Sequence, residues 1–144
     1  MRYLLDTNVV SEARRKPDRR DPHFHQWIEG VAAVDTALSV ITLGEVLTGV
    51  IRIERRDAAQ GAKLRSWYQG GLLAEFSERL LPVTREIIEI EARLQAPDPR
   101  PKADALIAAT ALSHGLVLVT RNVADFAGTG VTWLNPWTGQ SGAS

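Results

Sequence analysis

The chain has 144 residues, 44% of them hydrophobic and 24% charged. That is enough for one domain burying roughly 70% of its unfolded surface. Seventeen Lys and Arg balance seventeen Asp and Glu, and cysteine is absent. No global charge therefore points to nucleic acid, and disulfides and thiolate zinc sites are excluded. No apolar run reaches the ~20 residues of a membrane span. The opening MRYLLDTN turns polar too soon for a signal peptide, so the expected location is the cytoplasm.

Arg2 to Leu5 is short and apolar and reads as a buried strand. Thr7 to Arg15 follows as a helix with Val9, Val10 and Ala13 on one side. Pro17 and Pro22 bound a basic loop, and His23 to Val31 reads as helical. Thr36 to Ile41 is a second strand. Thr42 opens a helix whose Leu43, Val46, Leu47, Val50 and Ile51 form a stripe at i, i+3, i+4, i+7 and i+8. About Asp57 to Ser77 is helical, broken or loosened at Gly70-Gly71. Leu80 to Val83 is a third strand, and Thr84 caps a helix to about Ala96. The loop PDPRP, 97–101, separates this from a helix that Gly115 ends. Leu116 to Thr120 and Val131 to Leu134 complete a set of about five strands.

Apolar strands alternating with helices indicate a parallel sheet covered on both faces, a single three-layer α/β/α domain over residues 1–137. The tail TGQSGAS, 138–144, is expected to be disordered.

Ligands of open α/β sheets collect beyond the carboxyl ends of the strands. Asp6 follows the first strand, Glu45 lies one turn past the second, and Asp125 follows the fourth. Asp104 heads an apolar line of Ile107, Ala108 and Ala111. Each acid has a structural explanation: Asp6 and Asp104 as helix caps, Glu45 as the partner of Thr42 in a capping box, Asp125 as a turn residue. Four acids at one end of a sheet nevertheless repel one another unless a cation neutralises them. Oxygen ligands without cysteine or a well-placed histidine suit Mg²⁺ or Mn²⁺. Such an ion activates water and clamps a phosphate oxygen. Thr7, Asn8, Thr120 and Asn122 are short polar side chains suited to orienting ligands or water.

The segments LLDTNVVSE (4–12), LSVITLGEVLTGV (38–50), KADALIAATALSHG (102–115), LVLVTRNVADF (116–126) and LNPW (134–137), in this order, resemble PIN-domain proteins. The likeness is greatest to the VapC- and FitB-like toxins of bacterial toxin–antitoxin pairs, and it covers the chain to about Trp137. It implies a five-stranded parallel sheet and a Mg²⁺-dependent endoribonuclease acting on RNA phosphodiesters. Asp6, Glu45, Asp104 and Asp125 fall on the family's acidic positions, with Asp6 and Asp104 as principal metal ligands. Thr7, Asn8, Thr120 and Asn122 fall on its polar helper positions. Asn122 stands where many relatives carry an aspartate, so one charge is absent. The resemblance further implies a VapB/FitA-like antitoxin that blocks the acidic cleft, and a homodimer. Leu64, Trp67, Leu72, Leu73 and Phe76 offer apolar surface for such a contact.

Arg14, Arg15, Lys16, Arg19 and Arg20 form a basic loop suited to RNA phosphates, while RIERR at 52–56 reads as a solvated helix surface. His23-x-His25 on a helix reads as surface histidine, and Trp133 and Trp137 as packing residues. Three other functions compete: a non-catalytic partner-binding module, a nuclease directed at DNA, and an aspartyl-phosphate phosphatase. The last lacks its second acid, because Asp6-Thr7-Asn8 replaces the D-x-D that this chemistry uses.

Overall fold

A computed structural model describes residues 1–144. Six strands form one sheet: β1 (Tyr3–Leu5), β2 (Thr36–Ser39), β3 (Leu80–Leu81), β4 (Val117–Val119), β5 (Thr132–Asn135) and β6 (Gln140–Ala143). Their order is β3-β2-β1-β4-β5-β6, and only the β5–β6 pair is antiparallel. The helices are α1 (Thr7–Arg14), α2 (Pro22–Gly30), α3 (Val40–Arg56), α4 (Ala58–Ser66), α5 (Leu73–Phe76), α6 (Arg85–Gln95) and α7 (Lys102–His114).

Successive strand residues point to opposite faces, and the core divides accordingly. Leu4, Ala37 and Leu118 join Ile107, Ala108 and Ala111 of α7. Leu5, Leu38 and Val119 join Val9 and Val10 of α1, Phe24 of α2, and Tyr68 and Leu72. This places α7, with α6 packed against it, on one face and α1 and α2 on the other. The expected three-layer α/β arrangement is present, with six strands rather than about five.

Three expectations change and a fourth is narrowed. First, the tail is a strand. Gln140 to Ala143 pairs with β5, and Ser144 Oγ donates to the Phe126 carbonyl at 2.9 Å. The segment has no apolar pattern to announce it. It is held by backbone pairing, and Gly142 lets the Trp133 indole lie close: a Cβ there would stand 3.0 Å from Trp133 Cζ2. Removing residues 138–144 is therefore expected to lower stability by about 1–2 kcal/mol, from lost strand pairing. An unchanged urea midpoint in the truncated protein would return the tail to the disordered class.

Second, β2 ends at Ser39 instead of Ile41. The Ser39 hydroxyl accepts the Ile41 amide at 3.0 Å and so starts α3 at Val40, two residues before Thr42. Third, Thr42 cannot form a capping box with Glu45: it lies fully buried inside the first turn, and its Oγ1 has no hydrogen-bond partner. Fourth, the helical stretch is loosened at Gly70-Gly71 and not broken there. Residues 67–72 widen into a π-turn that joins α4 to α5. A π-turn absorbs an extra residue without ending the helix.

Leu64, Trp67, Leu73 and Phe76 pack half-buried against the α1–α2 side of the core, and Leu72 is buried within it. Much of the apolar surface expected to be spare is used by this chain itself. Trp137 likewise packs on Phe24, with ring centroids 4.8 Å apart. Histidines 23 and 25 sit on α2, and His25 Nδ1 faces Arg20 at 3.3 Å. No helix is long and apolar enough to cross a membrane.

Candidate active site

The chain leaves β1 through α1 towards β2 and β3, then crosses back so that β4 lies on the other side of β1. A crevice opens at such a switch point, beyond the carboxyl ends of the two strands. Asp6 stands there at the end of β1, and its backbone N–H is bonded to the Val119 carbonyl at 2.9 Å.

Asp6 is held from several directions. Its Oδ1 accepts the Thr7 amide at 2.9 Å, so it caps α1. Its Oδ2 accepts the Thr120 hydroxyl at 2.8 Å and the Asn8 amide group at 3.2 Å. Thr120, fully buried at the end of β4, accepts in turn from Asn8 Nδ2 and from the Asn122 backbone N–H. Asn8 Oδ1 accepts the Arg121 N–H at 3.0 Å. These bonds stitch the first turn of α1 to the loop after β4. Burial raises the Asp6 carboxyl above its ordinary range; bonds from Thr120, Thr7 and Asn8 pull the other way, and the charge of Glu45 adds to the rise.

Glu45 enters from the second turn of α3. Its Oε1 accepts the Thr7 hydroxyl at 2.6 Å, which ties α3 to α1 across the crevice. Asp104 comes from the first turn of α7, where its carboxyl is also raised. Burial is the main cause, followed by repulsion from Asp6, Asp125 and Glu45, and no hydrogen bond or positive charge offsets it. Asp125 lies exposed in a short 3₁₀ turn, residues 123–126, after β4. The charges of Asp6, Glu45 and Asp125 thus all reach Asp104, although 119 positions of sequence, from 6 to 125, separate the first acid from the last. Thr7, Asn8 and Thr120 join the same network through their side chains, whereas Asn122 joins it only through its backbone N–H.

The donor set is all oxygen, which suits a hard divalent cation. As placed, no group of three or more acidic or histidine side chains is close enough to enclose an ion. Mg²⁺ does not demand such an enclosure, since it keeps several waters and takes one or two carboxylates directly. The residues fit the ion by chemistry and by their uncompensated charge.

The basic loop is less uniform than its sequence. Arg20 donates to the Ala13 carbonyl at 2.6 Å and pairs with Glu29, and Arg15 pairs with Glu12. Arg14, Lys16 and Arg19 have no carboxylate partner. Beside Thr7 and Glu45 opens a hollow of about 480 Å³, lined also by Arg14, Arg52, Arg56 and Trp67. In the sequence Arg52 and Arg56 are only part of a basic cluster. The signal that would have tied them to the site is their spacing from Glu45, seven and eleven residues along one helix face.

Fold and crevice together define an α/β protein with an acidic site at the sheet's switch point. The profile of the PIN domain family matches residues 3–129, and the chain belongs to that family. It is 35% identical over 144 aligned positions to the plasmid stability protein StbB of Pseudomonas syringae pv. tomato, covering 93% of this chain and 97% of that one. It is 33% identical to the VapC ribonuclease Y4jK of Sinorhizobium fredii, covering 93% and 96%. Toxin FitB of Neisseria gonorrhoeae is 31% identical, with 93% and 97% covered. A crystal structure of FitAcB from the same organism matches with a TM-score of 0.85 and 30% identity, over 94% of this chain and 98% of that one.

Proposed function

We propose that this protein is the toxin of a toxin–antitoxin pair and acts as a Mg²⁺-dependent endoribonuclease. The observation that carries the reading is Asp104, a raised carboxyl among three other acids with nothing in the chain to neutralise it. The kinship with a ribonuclease and a toxin supports the same activity.

When bound, the cation would lower the pKa of a water and polarise a phosphate oxygen. Asp6 and Asp104 would be its principal protein ligands, with Glu45 and Asp125 holding it or orienting water. The chain's own contribution is positional. Thr120, Asn8 and the Thr7 amide hold Asp6 in one orientation, so it need not reorganise as the substrate arrives. Thr7 holds Glu45 in the same way. Water adds to phosphorus in line, the P–O3′ bond breaks, and the 3′ oxygen takes a proton. The ends formed are a 5′-phosphate and a 3′-hydroxyl.

The test is cleavage of end-labelled RNA by the purified protein with Mg²⁺, with chelator, and with single-stranded DNA of matching sequence. RNA cut only with Mg²⁺ supports the reading. DNA cut in preference redirects it to a DNA nuclease, and no cleavage with intact partner binding makes the chain a binding module.

A cognate antitoxin of the VapB/FitA kind is the natural inhibitor. It would neutralise the cleft with an arginine, whose planar fork bonds two carboxylates and never loses its charge. Its affinity is expected to fall as Mg²⁺ rises at constant ionic strength, and to weaken in Asp104→Asn. Affinity indifferent to both would remove the cleft as the point of inhibition. A homodimer is part of the same proposal and is checked by light scattering at tens of micromolar.

A further inference from the structure

We propose that the hollow beside the acidic cluster seats the RNA strand flanking the scissile bond, with Arg14, Arg52 and Arg56 holding its phosphates; this rests on the nuclease reading above. Glu45, Gly49, Arg52 and Arg56 recur at steps of four, three and four, which places them along one face of α3. The face is acidic where it meets the catalytic crevice and basic further along. By helix rise, Arg52 lies roughly 10 Å and Arg56 roughly 16 Å from Glu45 along the axis.

Between them the floor is open. A Cβ at Gly49 would meet nothing within 4 Å, so packing does not demand the glycine, and its lack of a side chain leaves room in the hollow. Arg14 reaches in from α1, its guanidinium 5.7 Å from the Trp67 ring centroid. Trp67, half-buried, supplies an apolar wall on which a base can lie.

None of the three guanidinium groups is paired with a carboxylate. Arg15, Arg20, Arg65, Arg79 and Arg85 each pair with a glutamate, whereas Arg14, Arg52 and Arg56 pair with none. The other acid on this part of α3, Glu54, is taken by two bonds from Arg65, at 2.7 and 2.9 Å. Glu45, the one acid lining the hollow, is tied to Thr7 at the crevice end. Unpaired, clustered guanidinium groups joined to a phosphodiester-cleaving site call for a polyanion that continues out of that site. A single strand does so, its phosphates on the arginines and its bases free to stack.

The experiment compares Arg52→Gln/Arg56→Gln with Arg55→Gln, an exposed arginine off that helix face. Binding of a short fluorescein-labelled single-stranded RNA is followed by anisotropy without Mg²⁺ across a salt series, and KM is measured with Mg²⁺. Loss of two phosphate contacts is expected to flatten the slope of log K against log salt by about 1.4. KM should rise about tenfold or more in the double variant and stay near wild type in Arg55→Gln. A double variant matching Arg55→Gln in both slope and KM overturns the subsite. So does an unchanged RNA slope combined with lost affinity for polyglutamate, which would assign the hollow to an acidic polypeptide. A wild type that cleaves no RNA defeats the nuclease reading instead, while the salt slopes still decide whether the hollow binds RNA.

Discussion

Asp104→Asn is expected to reduce RNA cleavage by on the order of 10³-fold or more while raising the thermal stability of the metal-free protein. The activity loss follows from the role proposed for the cation, whose charge stabilisation is worth several kcal/mol, each ~1.4 kcal/mol being tenfold in rate. The stability gain follows from what surrounds Asp104 when no cation is present. Burial and the charges of Asp6, Asp125 and Glu45 raise its carboxyl from the ordinary 3.8, so the folded chain holds that proton more tightly than the unfolded chain. A raised carboxyl contributes stability that is fully present below the unfolded value and is lost as pH rises through the folded one. Above that window the ionised wild type carries a penalty that asparagine lacks.

Melting temperatures of metal-free wild type and Asp104→Asn should therefore converge at acid pH and separate towards neutrality, the variant being higher. Asp6 is raised too, so some pH dependence remains in the variant. Saturating Mg²⁺ should reverse the order. A ligand at about 100 times its Kd stabilises the state it binds by about 2.7 kcal/mol, and the variant has lost a ligand. Asp6→Ala should lose activity to a similar degree, but it is a poorer stability probe because Asp6 also caps α1 through the Thr7 amide. Wild-type cleavage in either variant would remove these aspartates from the metal site. A lower metal-free melting temperature in Asp104→Asn would mean that the cluster's charge is already compensated.

Gly61→Ala is expected to destabilise the fold by about 1–3 kcal/mol, the usual range for overpacking. In an exposed helix interior the same exchange stabilises by about 1 kcal/mol, because alanine loses less backbone freedom on folding. The reversal comes from the crossing of α4 on α3. A Cβ on Gly61 would stand 2.5 Å from Glu54 Cα and 2.9 Å from Glu54 N, so the α3 backbone itself has to retreat. One turn further along α4, Arg65 grips Glu54 at 2.7 and 2.9 Å, so the retreat would strain that pair as well. Gly44→Ala is the matched control: it is exposed on α3, and its added Cβ meets nothing within 4 Å. Urea unfolding should move the two midpoints in opposite directions. Equal stabilisation in both would show that the α3–α4 contact yields at little cost.

Local patterns carried much of the fold. Leu4-Leu5, Ala37-Leu38 and Leu118-Val119 are buried on both sides, as uniformly apolar runs require in a parallel sheet covered on both faces. Thr84 caps α6 through the Ile87 amide, and Gly115 ends α7, both readable from a few neighbouring residues. The acids could also be found in the sequence, because ligands gather where such strands end.

What the sequence left open was settled by contacts between distant residues. Ser39 and Thr42 are both hydroxyl caps by local rules, and pairing of β2 with β1 and β3 ends at Ser39, leaving Thr42 inside the helix. Gln140 to Ala143 has no side-chain pattern at all, because its order comes from backbone pairing with β5. Arg20 and Arg14 are equivalent basic residues in the sequence, yet the fold gives one a carbonyl and a glutamate and sets the other over the Trp67 ring with no carboxylate partner. The charge on Asp104 shows the division most clearly. Its residue type and helical neighbours were visible from the start, but its repulsion from Asp6, Glu45 and Asp125 exists only once strand order brings three other elements to the same crevice. Electrostatic energy depends on distance in space, and chain order alone does not determine that distance.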